Sequence, residues 1–152
     1  MKVVERSSTV PYTARQMYDL VSDVERYPQF LPGCTAAHVE PAAPGEVLAS
    51  ISIARGVLRT EFTTRNASKP GEEILMRLVR GPFRRLTGHW RFAPLPEGGS
   101  RVSFRVDFEF RSLLTSEALN PVFEALCATI VEAFVARARV VYRVPAPLVG
   151  RC

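Results

Sequence analysis

The pattern that most constrains the fold is a strictly alternating strand followed closely by a long helix with one apolar side, within residues 101–143. Apolar side chains occupy every second position of the strand, at Val102, Phe104, Val106, Phe108 and Phe110. Because side chains of a strand point alternately to opposite faces, this strand has one apolar face and one polar face. The pattern therefore predicts a sheet whose apolar face must be covered.

The covering element is predicted to be a helix that begins at Asn120-Pro121. Asparagine is a favoured N-cap, and proline is favoured at the first helical position. Beyond them, apolar residues recur at helical spacing on one stripe, at Val122, Phe123, Leu126, Ile130, Phe134 and Val141. Sheet and helix together enclose either a filled core or a ligand cavity, and the sequence leaves both interpretations open.

The rest of the chain predicts an antiparallel α+β domain. Residues 2–10 predict a first strand, and Thr13 with Gln16 predicts the capping box of a first helix. Tyr27-Pro28 is predicted to break that helix, with one more turn at residues 29–31. Further strands are predicted at 35–40, 47–53, 58–64, 73–79, 89–93 and 101–110. Runs of strands between segregated helices are typical of α+β domains.

Composition bears on partners and location. The chain has 18 Arg, 2 Lys and a net charge of +5. This charge favours an anionic membrane surface or ribosomal RNA as a partner, although genome base composition alone can produce the same arginine bias. No run approaches the ~20 apolar residues that span a bilayer, and no signal peptide is recognised. We therefore expect a cytoplasmic protein, soluble or peripheral at the inner membrane face.

Residues suited to catalysis or metal binding are sparse. His38 and His89 have no metal-ligand partners nearby in sequence. Asp107 and Glu109 share a strand face with arginines and are interpreted as surface ion pairs. Cys34 and Cys127 are expected to be reduced and partly buried. The residues therefore predict no catalytic site, no metal site and no required cofactor.

Apolar side chains also occur in two predicted loops. The first holds Tyr27, Phe30 and Leu31, and the second holds Phe83 and Leu86 among Arg80, Arg84 and Arg85. Each group can close one end of the core. Alternatively, the arginines contact membrane or RNA phosphates while apolar groups enter lipid headgroups or stack on bases.

A larger set of segments points to a family. The block Tyr-Pro-x-Phe-x-Pro-x-Cys spans residues 27–34, and further matching segments lie at 10–14, 62–66, 78–83, 90–95 and 107–110. Together they cover roughly residues 3–142. This set resembles the coenzyme-Q-binding family of START-like proteins, which includes bacterial RatA-type ribosome association toxins and belongs to the polyketide cyclase/dehydrase superfamily.

The resemblance implies a helix-grip fold of the START/Bet v 1 type. In that fold, a curved antiparallel sheet of six or seven strands surrounds a long C-terminal helix, and two short helices follow the first strand. A single START-like domain is expected over residues 1–143, with a flexible tail at 144–152. The resemblance further implies one of three activities: ubiquinone binding that supports respiration, binding to the large ribosomal subunit that blocks subunit association, or polyketide cyclisation.

The leading hypothesis is a non-enzymatic protein that binds ubiquinone between sheet and helix, since burying apolar surface contributes ~25 cal/mol per Å². The predicted ligand-binding residues are Tyr27, Phe30, Leu31, Phe62, Phe83, Trp90, Phe104, Val106, Phe108, Phe123, Leu126, Ile130 and Phe134. Tyr12, Tyr18 or Trp90 could donate a hydrogen bond to a quinone carbonyl. The ribosome-binding alternative uses the Arg80, Arg84 and Arg85 group. The cyclase alternative requires Glu61, His89 or Asp107 to point into the cavity.

Overall fold

The computed structural model describes residues 2–142, with the backbone alone for 113–115. An antiparallel sheet of seven strands has the order β1-β7-β6-β5-β4-β3-β2. Its strands are β1 Lys2–Val10, β2 Cys34–Pro41, β3 Glu46–Arg55, β4 Leu58–Lys69, β5 Glu73–Arg80, β6 Phe83–Pro94 and β7 Ser100–Phe110. The predicted α+β helix-grip fold is confirmed. The predicted flexible tail lies outside the described residues.

Two short helices follow β1, as predicted: α1 Ala14–Ser22 and a 3-10 helix, Val24–Gln29. The capping box is present, because the Thr13 side chain accepts from the Gln16 backbone N–H at 3.0 Å and the Gln16 side chain accepts from the Thr13 N–H at 2.8 Å. The predicted break at Tyr27-Pro28 is wrong. The first helix already ends at Ser22, and Pro28 lies within the 3-10 helix.

The C-terminal helix begins earlier than predicted. Helix α2 spans Leu113–Ala128 and α3 spans Ile130–Tyr142, so Pro121 lies inside α2. The Ser116 N–H already donates to the Ser112 carbonyl at 2.8 Å, which starts the helical ladder well before Asn120. The Asn120 Oδ1 atom is buried without a hydrogen-bond partner and therefore caps nothing. The N-cap prediction for Asn120 is wrong.

The buried stripe of α2 and α3 consists of Phe123, Cys127, Val131, Phe134 and Ala138. The prediction for Val141 is wrong, since this side chain is 46% exposed. By length and composition alone, the stretch Ser116–Tyr142 could also cross a membrane, which corrects the expectation that no run approaches that length. Glu124 and Glu132 are the only charged residues between 118 and 136. In this fold the stretch packs against β1 and β7.

The alternation of β7 determines which side of the sheet the helix covers. All five apolar residues predicted on its inner face are buried. The strand lies between β1 and β6, with Val106 opposite Val4 and Phe104 opposite Trp90. Arg101, Ser103 and Arg105 lie on the other face, where they are exposed or half-buried. The sheet thus separates an apolar interior from a polar outer surface.

Strand β6 is longer than predicted and begins at Phe83 instead of residue 89. Phe83 is 1% exposed and Leu86 is 3% exposed, so the predicted apolar loop is wrong. The strand register shifts between Phe83 and Arg85, and Gly88 takes an inward position without a side chain. A bulge and a glycine both interrupt period-2 alternation, which explains why the pattern did not predict this part of the strand.

Candidate functional site

Two clusters of aromatic rings fill much of the space between the sheet and the C-terminal helices. In the first, the ring centroid of Phe134 lies 5.2 Å from Phe30 and 5.3 Å from both Tyr27 and Trp90. The second is centred on Phe123, whose ring contacts Phe62, Phe83, Phe108 and Phe110 at 4.7–6.2 Å. Edge-to-face packing dominates both clusters.

Members of both clusters line an apolar cavity of about 80 Å³. Nine of the predicted ligand-binding residues contribute to its wall: Tyr27, Leu31, Phe62, Trp90, Phe104, Val106, Phe123, Leu126 and Ile130. An apolar cavity of ~150 Å³ holds a benzene molecule. The present cavity is smaller, so a quinone ring enters only if lining side chains move.

Four predicted residues do not line the cavity: Phe30, Phe83, Phe108 and Phe134. The last three are at most 1% exposed and pack within the aromatic clusters. Phe30 is half-buried, and the guanidinium of Arg137 lies 5.1 Å from its ring centroid. In this structure these four rings pack against other side chains and do not border the cavity.

Eight lining residues were not predicted: Pro32, Cys34, Ile51, Ile53, Met76, Leu86, Cys127 and Thr129. The alternation of Ile51 and Ile53 in β3 was visible and could have placed them on the inner face. Gly88 leaves room for the Met76 side chain, because a Cβ at position 88 would lie only 3.1 Å from the Met76 sulfur. Methionine is flexible, so Met76 is the lining residue best suited to yield to a ligand.

The cavity wall contains no charged side chain, and both of its hydroxyl groups already have partners. The Tyr27 hydroxyl donates to the Val21 carbonyl, and the Thr129 hydroxyl donates to the Leu126 carbonyl at 3.0 Å. Burial raises the pKa of Tyr27 and of Cys34, and raises the pKa of Cys127 to about 12. These groups are therefore neutral at pH 7.

Cys34 and Cys127 are buried free thiols within the described residues, as predicted. Among Tyr12, Tyr18 and Trp90, the three predicted hydrogen-bond donors, only Trp90 lines the cavity. The wall as a whole suits an apolar molecule and offers no base or acid for proton transfer.

The candidate acid–base residues lie outside the cavity. His89 Nε2 lies 2.9 Å from Glu73 Oε1, and this hydrogen bond, more than any other contact, lowers the pKa of Glu73. Asp107 pairs with Arg105 at 3.1 Å, as expected for a surface ion pair. Glu61 is exposed on β4. Within the described residues, no group of three or more His, Cys, Asp or Glu side chains could hold a metal ion.

The three arginines predicted to contact membrane or RNA are all exposed near the β5–β6 turn. Arg84 contacts Glu109 at 3.8 Å, while Arg80 and Arg85 form no ion pair within the described part of the chain. Since Phe83 and Leu86 are buried beneath them, the two apolar side chains that the sequence suggested for entry into lipid headgroups are not available at this turn.

A curved antiparallel sheet that grips a C-terminal helix around an apolar cavity defines a START-like protein. Residues 10–135 match the family described as polyketide cyclase/dehydrase and lipid transport, and the chain belongs to that family. Two solved structures share the fold. The Zhui aromatase/cyclase from Streptomyces sp. R1128 superposes with a TM-score of 0.78 at 20% identity, over 91% of this chain and 95% of that one. The 18 kDa protein CC1736 from Caulobacter crescentus gives 0.74 at 31% identity, over 93% and 99%.

Two groups of curated relatives carry different names. The ribosome association toxin RatA of Escherichia coli (strain K12) is 44% identical over 142 residues, which cover 93% of this chain and 90% of the relative. The mitochondrial coenzyme Q-binding protein COQ10 homolog B of Xenopus laevis is 29% identical over 140 residues, which cover 90% of this chain and 57% of the relative. Both names fall within the family that the sequence segments resemble.

Proposed function

We propose that this protein binds the large ribosomal subunit and reduces its association with the small subunit. The observation that carries the proposal is the 44% identity with a ribosome association toxin along 93% of the chain. That alignment spans almost the whole fold and so includes the exposed faces of the sheet. The proposal places the protein in the cytoplasm, where bacterial ribosomes act.

The charge distribution supports a ribosomal partner. The chain carries a net charge of +5, and ribosomal RNA presents a dense array of phosphates. Several exposed arginines, among them Arg77, Arg91 and Arg101, form no ion pair within residues 2–142. Arginine binds phosphate through a planar, bidentate donor set. The activity is proposed to be non-enzymatic, because the cavity offers no acid–base pair.

The direct test is subunit reassociation. Purified small and large subunits are mixed with the protein under conditions that re-form intact ribosomes, and the products are separated on a sucrose gradient. We expect the intact-ribosome peak to fall as protein is added and the protein to sediment with the large subunit. An unrelated basic protein of similar size and charge is the control. An unchanged ribosome peak, with the protein remaining at the top of the gradient, would contradict the proposal.

The second candidate function is binding of an apolar small molecule, most simply a polyisoprenoid quinone, in the cavity. The specific observation in its favour is the uncharged wall built from β2 to β7 and from both C-terminal helices. Because the cavity holds only about 80 Å³, the ligand would have to displace flexible side chains such as Met76, Leu31 and Leu126. This function is compatible with ribosome binding, because the cavity lies between the sheet and the helices whereas the arginines without an ion pair are exposed.

A quinone with a short isoprenoid tail tests this candidate by thermal unfolding. Binding to the native state alone stabilises by about 2.7 kcal/mol when the ligand is at a hundred times its Kd. We expect the melting temperature to rise for the native sequence and for Val140→Trp, whose site is 60% exposed and far from the wall. Leu126→Trp should abolish the rise by filling the cavity. No rise in the native sequence, and no lipid extracted from the purified protein, would count against it.

A further inference from the structure

The outer face of the sheet, opposite the cavity, carries a groove of about 580 Å³ across β1, β7 and β6. Small side chains form part of its floor, at Ser7, Ser103 and Ala93. The groove is otherwise dominated by the arginines Arg91, Arg101 and Arg105. Long cationic side chains therefore lie beside a shallow floor of small residues. This arrangement leaves space for a polymer whose phosphates contact the arginines.

The strand register produces this arrangement. Arg91 of β6 lies opposite Ser103 of β7, which lies opposite Ser7 of β1, so the middle row holds one arginine and two serines. On one side is the row Ala93, Arg101 and Thr9, and on the other the row His89, Arg105 and Glu5. Adjacent strands are ~4.8 Å apart, so each row spans about 10 Å between its outer Cα atoms.

Positive charge in the groove is only partly neutralised. Glu5 is the single carboxylate among the lining residues, and Arg105 pairs with it at 3.6 Å and with Asp107 at 3.1 Å. Arg101 donates to the Ser7 hydroxyl at 2.9 Å and, like Arg91, forms no ion pair within the described residues. Two arginines are therefore available to bind an anion from solution.

The acidic residue opposite Arg91 in the neighbouring strand is already engaged. Glu73 lies opposite Arg91 in the β5–β6 register, but its carboxylate contacts His89 at 2.9 Å and Lys69 at 3.6 Å. The contact with Glu73 also occupies His89 Nε2, so this nitrogen is not available to bind a ligand in the groove. The uncompensated charge is thereby concentrated on Arg91, in the serine row, and on Arg101, in the neighbouring row.

The groove presents no aromatic ring to solvent. Phe104 borders it through its position in β7, but its ring turns inward, where it lies 4.4 Å from the Trp90 ring and is 4% exposed. Single-stranded RNA is usually bound by stacking its bases on exposed aromatic rings, whereas double-helical RNA is recognised through phosphates and 2′-hydroxyls. Arginines beside serine and threonine hydroxyls match the second mode.

We propose that this groove binds the phosphodiester backbone of a double-helical segment of ribosomal RNA, with Arg91 and Arg101 each contacting a phosphate. The inference rests on the proposed ribosome-binding function and adds to it the surface and the chemical group recognised. The proposed RNA contact therefore lies in the groove and not at Arg80, Arg84 and Arg85 of the β5–β6 turn, the residues that the sequence suggested.

The test compares two double variants that lose the same charge. Arg91→Gln with Arg101→Gln removes the free arginines of the groove. Arg55→Gln with Arg59→Gln removes two exposed arginines at the β3–β4 hairpin, which also form no ion pair within residues 2–142. Binding to purified large ribosomal subunits is measured over a series of salt concentrations. Thermal unfolding establishes that each variant is folded.

We expect the groove variant to bind about tenfold more weakly, with a log–log salt slope shallower by about 2, because each lost phosphate contact removes close to one unit. The hairpin variant should bind within about twofold of the native protein. Equal weakening of binding in both variants would overturn the groove proposal, because binding would then depend only on net charge. A loss of binding found only in an Arg80→Gln, Arg85→Gln double variant would also overturn it.

Two further outcomes separate the groove from the function on which it rests. If the native protein and the groove variant bind large subunits equally well, the groove fails and ribosome binding stands. If the native protein binds no large subunits, both proposals fail. Arg91- and Arg101-dependent binding to vesicles containing anionic lipid, in the absence of ribosome binding, would instead assign the groove to lipid phosphates and overturn the RNA proposal.

Discussion

Phe134→Ala is expected to lower the free energy of unfolding by about 3–5 kcal/mol, as for other buried phenylalanines. Phe134 is fully buried and its ring contacts Tyr27, Phe30 and Trp90 from three sides. Those neighbours belong to the 3-10 helix region and to β6, so the cavity left by truncation cannot collapse by moving one element alone. The surrounding rings lose dispersion contacts on the side that Phe134 fills.

Urea unfolding followed by far-ultraviolet circular dichroism measures this effect. Val140→Ala in the same helix is the matched control, because Val140 is 60% exposed. A surface substitution of this kind changes the free energy of unfolding by about 0.5 kcal/mol or less. If Phe134→Ala lowered the free energy of unfolding by less than about 1 kcal/mol, the prediction would be wrong, because even an Ile→Val truncation typically costs 0.5–1.5 kcal/mol. The ring would then contribute little to the packing of α3 against the sheet.

Gly99→Ala is expected to have the second largest effect. Gly99 has a φ of +78°, in the left-handed region, and a Cβ added there would overlap the carbonyl oxygen of Val10 and lie 3.1 Å from the Pro11 Cα. The backbone conformation costs about 1–2 kcal/mol for an L-residue. Relief of the overlap must separate the end of β1 from the start of β7, which adds about 1–3 kcal/mol.

Gly98→Ala provides a control one residue away. Gly98 also has a positive φ, +102°, but a Cβ at this position meets nothing within 4 Å. The difference in melting temperature between the two variants therefore isolates the collision with Val10 from the backbone penalty. Equal melting temperatures would contradict the collision and imply that the β6–β7 turn relaxes freely.

Sequence patterns succeeded where one local rule governed each residue. The bounds of β1 and the alternation of β7 followed from period-2 patterning, and the start of α1 followed from the Thr13–Gln16 capping box. They failed where tertiary context overrode a local preference. Asn120-Pro121 has the composition of a helix start, yet lies inside α2 because the helical ladder is already established at Ser112–Ser116.

The candidate site was only partly predictable for a related reason. Alternation identifies which side chains point inward, and so it found Phe104 and Val106. The alternation pattern does not distinguish an inward side chain that lines a cavity from an inward side chain that packs tightly in the core. Phe108 shares the inner face of β7 with them, but it packs against Phe123 at 4.7 Å and leaves no space around it. That distinction depends on the distance between sheet and helix, which no single segment encodes.

Strands β6 and β7 build two opposed surfaces from adjacent residues. Trp90 and Phe104 face the interior, while their neighbours Arg91 and Arg105 face the groove. A one-residue slip of a strand exchanges its two faces. Insertion of a single residue early in β7 would therefore turn arginines inward and phenylalanines outward at once, destroying both surfaces, unless the extra residue were absorbed in a bulge such as the one at Arg84. We therefore expect length changes in these two strands to be tolerated only in the turns or at such a bulge.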